Sequence, residues 1–372
     1  MSKCIYTLKN FDDASGEHIL QNFLGARWTS KQISCDEIQH SFGNTIDTAL
    51  EDGLKQFRVI LGHRGGRGGA GPTLKNVSTT TGEKVHVFPG GRPNLAEPTV
   101  SIKPNTDGTY SVSAKLGMEK HLGWALNKLR LDHPNLKLEI DEEELKKSFK
   151  HEQDFSDGRI HLSMKMGGMD FFRGALKSCF NLLGAVNHQV ALSNEFESLR
   201  DFILNSSGEI DNFARWMSHS DRLDLPSIGQ FDHFIGLVGY GGVVSGVIQF
   251  YGEIAFPVRL TTTYSGKDFQ CSYLVDSFRG HEPAEIRDAS FRFDAIPIFT
   301  EQPKKPEQLV WGSYTRRFER ILERWYARTD DINVREIVES ILLPKDGEIL
   351  DEVTLRELSQ KLREYLTARI SN

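Results

Sequence analysis

The chain is poor in three features that would narrow its class at once: cysteine, long apolar runs and excess positive charge. Its 372 residues include only four cysteines, too few and too scattered for a disulfide framework. No stretch reaches the roughly 18 uninterrupted apolar residues typical of a membrane span. The first ten residues are polar and lack the apolar core of a signal peptide. We therefore expect a cytoplasmic protein with reduced thiols and no membrane partner.

A formal net charge of −6 excludes a protein that coats nucleic acid through an overall basic surface. One segment departs from this balance, because residues 58–92 include six Lys or Arg residues and one acidic residue. Within it, the glycine- and arginine-rich residues 62–72 predict an irregular basic loop. A solvent-exposed connection without a ligand explains this composition equally well. The side chains predicted to contact a phosphate backbone are Arg58, Arg64, Arg67 and Lys75.

Apolar periodicity predicts a mixed α+β fold. Residues 1–43 are predicted to be short and turn-rich, and a helix is predicted to begin near Thr45. The predicted helices beyond it cover Met118–Leu131, Asp141–Lys150, about 170–204, Glu307–Ala327, Asn333–Leu342 and Thr354–Ile370. The predicted strands are Lys84–Phe88, Thr99–Lys103, Thr109–Lys115, Leu136–Ile140, Arg159–Met164 and three or four within 231–279.

The predicted elements divide the chain into five segments. An N-terminal module covers 1–61, and the Gly/Arg-rich basic loop covers 62–72. A mixed α/β region follows over 73–165. A long helical region and an antiparallel β section occupy 166–306, and helices close the chain over 307–372.

The first fifty residues contain the most informative motifs. In chain order they are Cys4, Glu17-His18-Ile19, Leu24-Gly25, Cys35, Phe42-Gly43 and Asp47. Over residues 4–60 this order and spacing resembles the HNH endonuclease family, in the subgroup with a zinc knuckle. That subgroup has a C-x-x-C, an Asp/Glu-His-Ile/Val with a Leu/Phe-Gly pair, and a second C-x-x-C-Asn. The resemblance implies an N-terminal ββα-metal module, followed here by a larger mixed α+β body with C-terminal helices.

The resemblance also implies positions for the chain's elements in that module. Glu17 and His18 are expected on or just after the first strand of a hairpin. The helix from about Thr45 is expected to pack Ile46 and Leu50 against that hairpin.

The activity implied by the resemblance is metal-dependent hydrolysis of DNA phosphodiesters, with a role in bacterial phage defence. His18 would be the general base that takes the proton of the attacking water. Glu17 would bind Mg²⁺ or Mn²⁺, hard cations that prefer oxygen ligands. Gln39, with His40 beside it, stands at the position of the second metal ligand.

The chain departs from the family pattern at several of these positions. Thr7 and Ile38 replace the second cysteine of each pair, so Cys4 and Cys35 alone remain as a degenerate zinc knuckle. Two thiolates do not complete a tetrahedral site, so structural Zn²⁺ is not expected, although the two sulfurs are expected to lie close together. Gln39 is a weaker metal ligand than the Asn or His usual there.

These departures leave two further hypotheses beside the nuclease. One is a catalytically eroded HNH relative that acts as a nucleic-acid-binding or protein-interaction module. The other is that residues 73–372 bind a protein partner or form a homodimer. Nicking of supercoiled plasmid by the wild type and a His18→Ala variant distinguishes the nuclease from both.

Overall fold

The computed structural model describes the following residues: 1–69, 71–106, 110–116, 121–134, 159–162, 164–216, 225–276, 278, 284–292, 307–343 and 351–370. They form a mixed α+β protein, as expected from the periodicity. The chain divides into two compact units. Unit 1 comprises Met1–Phe213 and Ser277–Pro283, and unit 2 comprises Ala214–Asp276 and Ala284–Asn372.

Unit 1 begins with two small antiparallel strand pairs and two helices. The strands are β1 (Ser2–Lys3), β2 (Asn10–Phe11), β3 (Glu17–His18) and β4 (Thr29–Ser30), and the helices are α1 (Asp36–Asn44) and α2 (Ile46–Ile60). β1 pairs with β2, and β3 pairs with β4. Glu17 lies opposite Ser30, and His18 lies opposite Thr29. Glu17 and His18 therefore occupy a strand of an antiparallel pair, as predicted.

Helix α1 replaces part of the region predicted to be turn-rich. Its nine residues are mostly polar and bury only Phe42, so the segment has too few apolar residues to predict a buried helix face. Asp36 and Glu37 occupy its first turn, where negative charge favours the helix dipole. The helix that follows begins at Ile46, close to the expected start, with Thr45 at the N-cap position.

Helix α2 packs mainly on a later helix, α4 (Met169–Val186), rather than on the β3–β4 pair. Its apolar face buries Ile46 and Leu50 in this contact. A Cβ atom at Gly174 would lie 2.6 Å from the Ile46 carbonyl oxygen and 3.1 Å from Leu50 Cβ. Since no side chain fits at that distance, Gly174 allows the two helices to approach closely. The expected hairpin contact of α2 is thus replaced by a helix–helix contact.

The middle of unit 1 consists of two further antiparallel sheets and a helix. β5 (Leu74–Ser78), β6 (Lys84–Phe88) and β7 (Arg92–Leu95) form one sheet in that order, and β8 (Thr99–Pro104) pairs with β9 (Tyr110–Lys115). α3 (Leu122–Asp132) follows. Sequence patterns missed β5 and β7. β7 contains Pro93 and lies at the sheet edge, where a missing amide hydrogen is tolerated.

Two other predictions for this region have different outcomes. The predicted strand Arg159–Met164 is wrong, because its described residues contribute only an isolated bridge between Ile160 and Thr79. The predicted strand Leu136–Ile140 and helix Asp141–Lys150 lie outside the described residues.

The predicted long helical region consists of three helices, α4, α5 (His188–Ala191) and α6 (Glu197–Asn205). Every residue of α4 from Phe171 to Gly184 is buried, including the charged Lys177. A helix buried on all sides must supply partners for its polar side chains, since an unpaired polar group in the interior is costly. The polar side chains of α4 and their partners form the candidate site described below.

Unit 2 is a five-stranded antiparallel sheet followed by two helices. Its strands are β10 (His233–Tyr240), β11 (Val243–Phe250), β12 (Ile254–Thr261), β13 (Phe269–Asp276) and β14 (Ala284–Arg287), in the order β12-β11-β10-β13-β14. α7 (Glu307–Leu342) and α8 (Glu352–Ile370) follow. The predicted break between Ala327 and Asn333 is wrong, because α7 continues through the intervening residues. These residues include neither glycine nor proline, so nothing in them ends the helix.

Among the residues that the structure describes, no helix combines the length and apolar character needed to span a membrane.

Candidate functional site

A buried lysine joins three elements of unit 1. Lys177 of α4 is 2% exposed, and its Nζ lies 2.7 Å from Glu17 Oε1 and 2.6 Å from Asp47 Oδ2. Glu17 comes from β3 and Asp47 from α2. The same ammonium lies 5.2 Å from the centroid of the Phe42 ring, a favourable position for a cation. We call Glu17, Asp47 and Lys177 the carboxylate–lysine cluster.

Hydrogen bonds from neighbouring amides hold both carboxylates in place. Gln21 Nε2 donates to Asp47 Oδ1 at 2.9 Å, and Ser178 Oγ in turn donates to Gln21 Oε1 at 2.9 Å. Asn181 Nδ2 donates to Glu17 Oε1 at 3.4 Å and to the His18 carbonyl oxygen at 2.9 Å. The cluster is therefore positioned by polar groups on α4 as well as by its own charges.

Tyr6 completes the polar network on the side of Asn181. Its hydroxyl donates to Asn181 Oδ1 at 2.5 Å, and its ring packs edge-on against Phe42 and Phe180. Burial and, after it, the charge of Glu17 raise the pKa of Tyr6 well above its usual value. The hydroxyl is thus a hydrogen-bond donor throughout the neutral range.

The charges of the cluster shift the pKa values of its members. Burial raises the pKa of Glu17, and the nearby Asp47 adds to this effect, while Lys177 opposes it. Burial alone would lower the pKa of Lys177, but the charges of Asp47 and Glu17 outweigh it, so that pKa is raised. Two carboxylates facing one ammonium leave an excess negative charge. The raised pKa of Glu17 and the raised pKa of Lys177 are both consistent with that excess. Lys177 is a fixed cation, not a proton donor or nucleophile at neutral pH.

These raised pKa values predict a loss of stability in alkaline solution. In the unfolded chain, Tyr6 and Lys177 lose their protons near pH 10 and 10.4, whereas the folded chain retains them at higher pH. The stabilisation they provide is complete below about pH 10 and is lost as pH rises through the folded values. We expect the free energy of unfolding of unit 1 to fall above pH 10. Urea titrations at each pH, monitored by hydrogen exchange of peptides from α4, measure this free energy of unfolding.

The matched variant for this prediction is Tyr6→Phe. It removes the tyrosine share of the pH dependence and leaves the lysine share, so its stability should fall less steeply. A wild-type stability that stays constant from pH 9 to 11 would contradict the prediction.

His18 follows Glu17 on β3 but lies on the opposite face, as neighbouring strand residues do. Glu17 is 6% exposed and faces the interior, whereas His18 is only half-buried. Beyond His18, the Ile19 amide donates to the Trp28 carbonyl oxygen at 3.0 Å, and a short turn ends at Gly25 with φ of 83°. The Leu-Gly pair of the motif therefore reverses the chain between β3 and β4.

The predicted metal ligands have separate partners. Glu17 pairs with Lys177. Gln39 Nε2 donates to the Ser15 carbonyl oxygen at 2.9 Å. His40 Nε2 lies 3.1 Å from Asn44 Nδ2 on the exposed side of α1. Within the described ranges, no group of three or more His, Cys, Asp or Glu residues is arranged to bind a metal. The residues present thus do not fit a Mg²⁺ or Mn²⁺ site.

Cys4 and Cys35, the two cysteines predicted to be remnants of a zinc knuckle, interact with each other. Cys4 is buried and Cys35 is half-buried at the start of α1. Burial raises the pKa of the Cys35 thiol, the Ile38 amide opposes this by donating to the sulfur, and contact with Cys4 raises the pKa further. Nearby, the Ile5 amide donates to the Ile33 carbonyl oxygen at 2.9 Å. Ile5, next to Cys4, and Ile33, two residues before Cys35, are both fully buried.

The Gly/Arg-rich loop is irregular over its described residues, as predicted, and it packs on the turn that follows His18. The Gly66 amide donates to the Asn22 carbonyl oxygen at 2.8 Å, and Arg27 Nε donates to the Gly66 carbonyl oxygen at 3.1 Å. A Cβ atom at Gly66 would lie 2.6 Å from the Ala26 carbonyl oxygen, so this approach requires glycine. The loop is therefore attached to the segment that carries His18.

The four predicted phosphate contacts differ in exposure. Arg64, Arg67 and Lys75 are exposed. Arg58 is 6% exposed, pairs with Glu51 and lies 5.2 Å from the centroid of the Phe23 ring. Because its guanidinium is already bound inside unit 1, Arg58 is a structural residue, and the candidate phosphate contacts narrow to the other three.

Sequence reasoning missed the polar residues of α4 that complete the site. Lys177, Ser178 and Asn181 stand in an otherwise apolar helix, and Lys177 and Asn181 are one turn apart. A charge and an amide at that spacing, on a helix too apolar to be a surface helix, indicate a buried polar site.

No family model matches this chain, and the curated proteins and the solved structures yielded no match either.

Proposed function

We propose that this chain is a DNA-binding protein built on an HNH-like module, residues 1–61, that has lost its metal-binding set. The observation that carries the proposal is the attachment of the Gly/Arg-rich loop to the turn after His18, through the hydrogen bond from the Gly66 amide to the Asn22 carbonyl oxygen at 2.8 Å. This attachment joins the loop that contains Arg64 and Arg67 to the turn after Glu17-His18, the pair that resembles the HNH motif.

The charge distribution supports a local contact of this kind. Arginine side chains and exposed amides in a glycine-rich loop suit phosphate groups. The acidic balance of the whole chain confines such binding to the basic segment, so a few contacts must account for most of the affinity. Glu17 supports the loss of metal binding, because its carboxylate is bound to Lys177 and Asn181 in the interior.

The test is the salt dependence of DNA binding by an Arg64→Ala/Arg67→Ala variant. We expect weaker binding and a log–log salt slope that is smaller by roughly 0.9 for each phosphate that the variant no longer neutralises, because each neutralised phosphate releases counterions. Fluorescence anisotropy with a labelled duplex over a range of salt concentrations measures both quantities.

The matched control is Arg335→Ala/Arg356→Ala, which removes two exposed arginines of unit 2 that pair with acids one turn away. It should bind DNA with the wild-type slope. Equal slopes for all three proteins would rule out the loop as the DNA contact, and no measurable binding by the wild type would rule out the proposal.

A second candidate is the endonuclease itself, with His18 as general base. The half-buried position of His18 at the end of β3 favours it, because this residue is partly exposed while Glu17 is enclosed. In this candidate, His18 takes the proton of the attacking water, and this is the one step of the hydrolysis assigned to a residue of the chain. Plasmid nicking separates this candidate from the first.

The broader expectations remain predictions. They are a cytoplasmic location, a role in phage defence, and a protein partner or second copy bound by residues 73–372.

A further inference from the structure

Lys177 stands where a bound cation would stand in a carboxylate site. Its Nζ lies within 2.7 Å of one oxygen from Glu17 and one from Asp47, and the side chain is almost completely enclosed. We propose that the Lys177 ammonium is the resident cation of this module, and that removing it exposes a divalent-cation site between Glu17 and Asp47.

The two carboxylates would keep their positions without the lysine, because other groups hold them. Gln21 donates to Asp47 Oδ1, the oxygen that Lys177 does not contact, and Asn181 donates to Glu17. Gln21 Nε2 also donates to the Gly174 carbonyl oxygen at 3.1 Å. The anchoring groups therefore belong to the turn after β3 and to α4.

The class of ligand follows from the donor atoms. Carboxylate oxygens are hard ligands, and Mn²⁺ and Ca²⁺ bind them at about 2.0–2.6 Å, with water completing the coordination shell. Truncation of Lys177 to alanine leaves an enclosed space lined by two carboxylates, which is polar enough to hold water. Glu17 is buried and Asp47 is half-buried, and without a counter-ion their charges repel each other, so a divalent cation there stabilises the folded chain.

The wild-type protein should consequently fold without any metal. Its melting temperature should be the same in EDTA and in millimolar MnCl₂, and it should bind no Mn²⁺ at this site. The inference concerns stability and metal binding alone, so it stands or fails independently of DNA binding by the Gly/Arg-rich loop.

The experiment compares the full chain with Lys177→Ala in thermal unfolding and in electron paramagnetic resonance titrations with MnCl₂. We expect Lys177→Ala to be destabilised in EDTA, to regain several degrees in melting temperature as Mn²⁺ rises, and to bind one Mn²⁺ per chain. Adding Asp47→Asn to Lys177→Ala should abolish both the regain and the binding.

Two controls separate a cation site from a general effect of Mn²⁺. Lys177→Met fills the space with an apolar side chain and should not be rescued. Arg200→Ala removes another buried cation of unit 1, whose guanidinium donates to the carbonyl oxygens of Ile5, Ala191 and Ser193. Because no carboxylate pair is left behind there, Mn²⁺ should not rescue that variant.

Three results would overturn the inference. They are stoichiometric Mn²⁺ binding by the wild type at a site that Glu17→Gln abolishes, a wild-type melting temperature that falls in EDTA, and equal rescue of the Ala and Met variants. If Lys177→Ala does not fold in EDTA, refolding it with and without Mn²⁺ gives the same comparison, and failure to refold in Mn²⁺ would count against the inference.

Discussion

We expect Lys177→Met to lower the free energy of unfolding of unit 1 by about 3–5 kcal/mol, the cost of removing one partner from a buried ion pair. The substitution keeps the side chain's length, so a change in packing contributes little. It leaves Glu17 and Asp47 without their cation, and Glu17 is 6% exposed. The cost therefore comes from uncompensated charge. Urea titration of the full chain, followed by hydrogen exchange of peptides from α4, measures it.

The matched control for this variant is Lys55→Met on α2. Lys55 pairs with Asp52 at 3.6 Å, and its side chain is 39% exposed. An exposed pair of this kind contributes no more than about 1 kcal/mol. Adding Glu17→Gln and Asp47→Asn to Lys177→Met should recover part of the stability, because the remaining groups are then neutral. A decrease below about 1 kcal/mol for Lys177→Met would show that the buried pair does not form.

If the endonuclease candidate holds, His18→Ala should reduce plasmid nicking by about 10²–10⁴-fold, the contribution of a positioned general base. DNA affinity should stay close to that of the wild type, because the imidazole acts in the chemical step and not in docking. The measurement is the rate at which supercoiled plasmid is nicked in Mg²⁺ or Mn²⁺, taken at saturating protein.

His161→Ala is the matched control, since His161 is an exposed histidine of the same unit. It should nick as the wild type does. Equal nicking by His18→Ala would exclude His18 as the base. DNA binding without nicking by the wild type would instead favour the eroded module.

Local patterns predicted those elements whose own residues determine them. The alternation of Lys84–Phe88 and the apolar run within 231–279 were enough to place β6 and the main strands of unit 2. The placement of Glu17 and His18 on a hairpin strand came from the family resemblance and agrees with the β3–β4 pairing. Helix α1 was missed because only two of its nine residues, Ile38 and Phe42, are large and apolar.

The role of Glu17 lay beyond sequence reasoning for a different reason. Its partner Lys177 belongs to a helix that the patterns predicted only as apolar core, and no local spacing relates the two residues. Arg58, whose charge suggested a phosphate contact, has both a local and a distant partner. It pairs with Glu51, two turns away on α2, and its guanidinium lies 5.2 Å from the centroid of the Phe23 ring. The contact with Phe23 joins residues that no local pattern relates.

The carboxylate–lysine cluster also joins residues that the ribosome makes at different times. Lys177 follows its partner Asp47 by 130 residues. At about 5–20 residues per second, synthesis of that interval takes on the order of ten seconds. Throughout it, the nascent N-terminal segment has both acids but not the cation that neutralises them. Its first sixty residues therefore reach their final packing only after α4 has left the ribosome, and a nascent chain stalled before that helix should remain open to proteases.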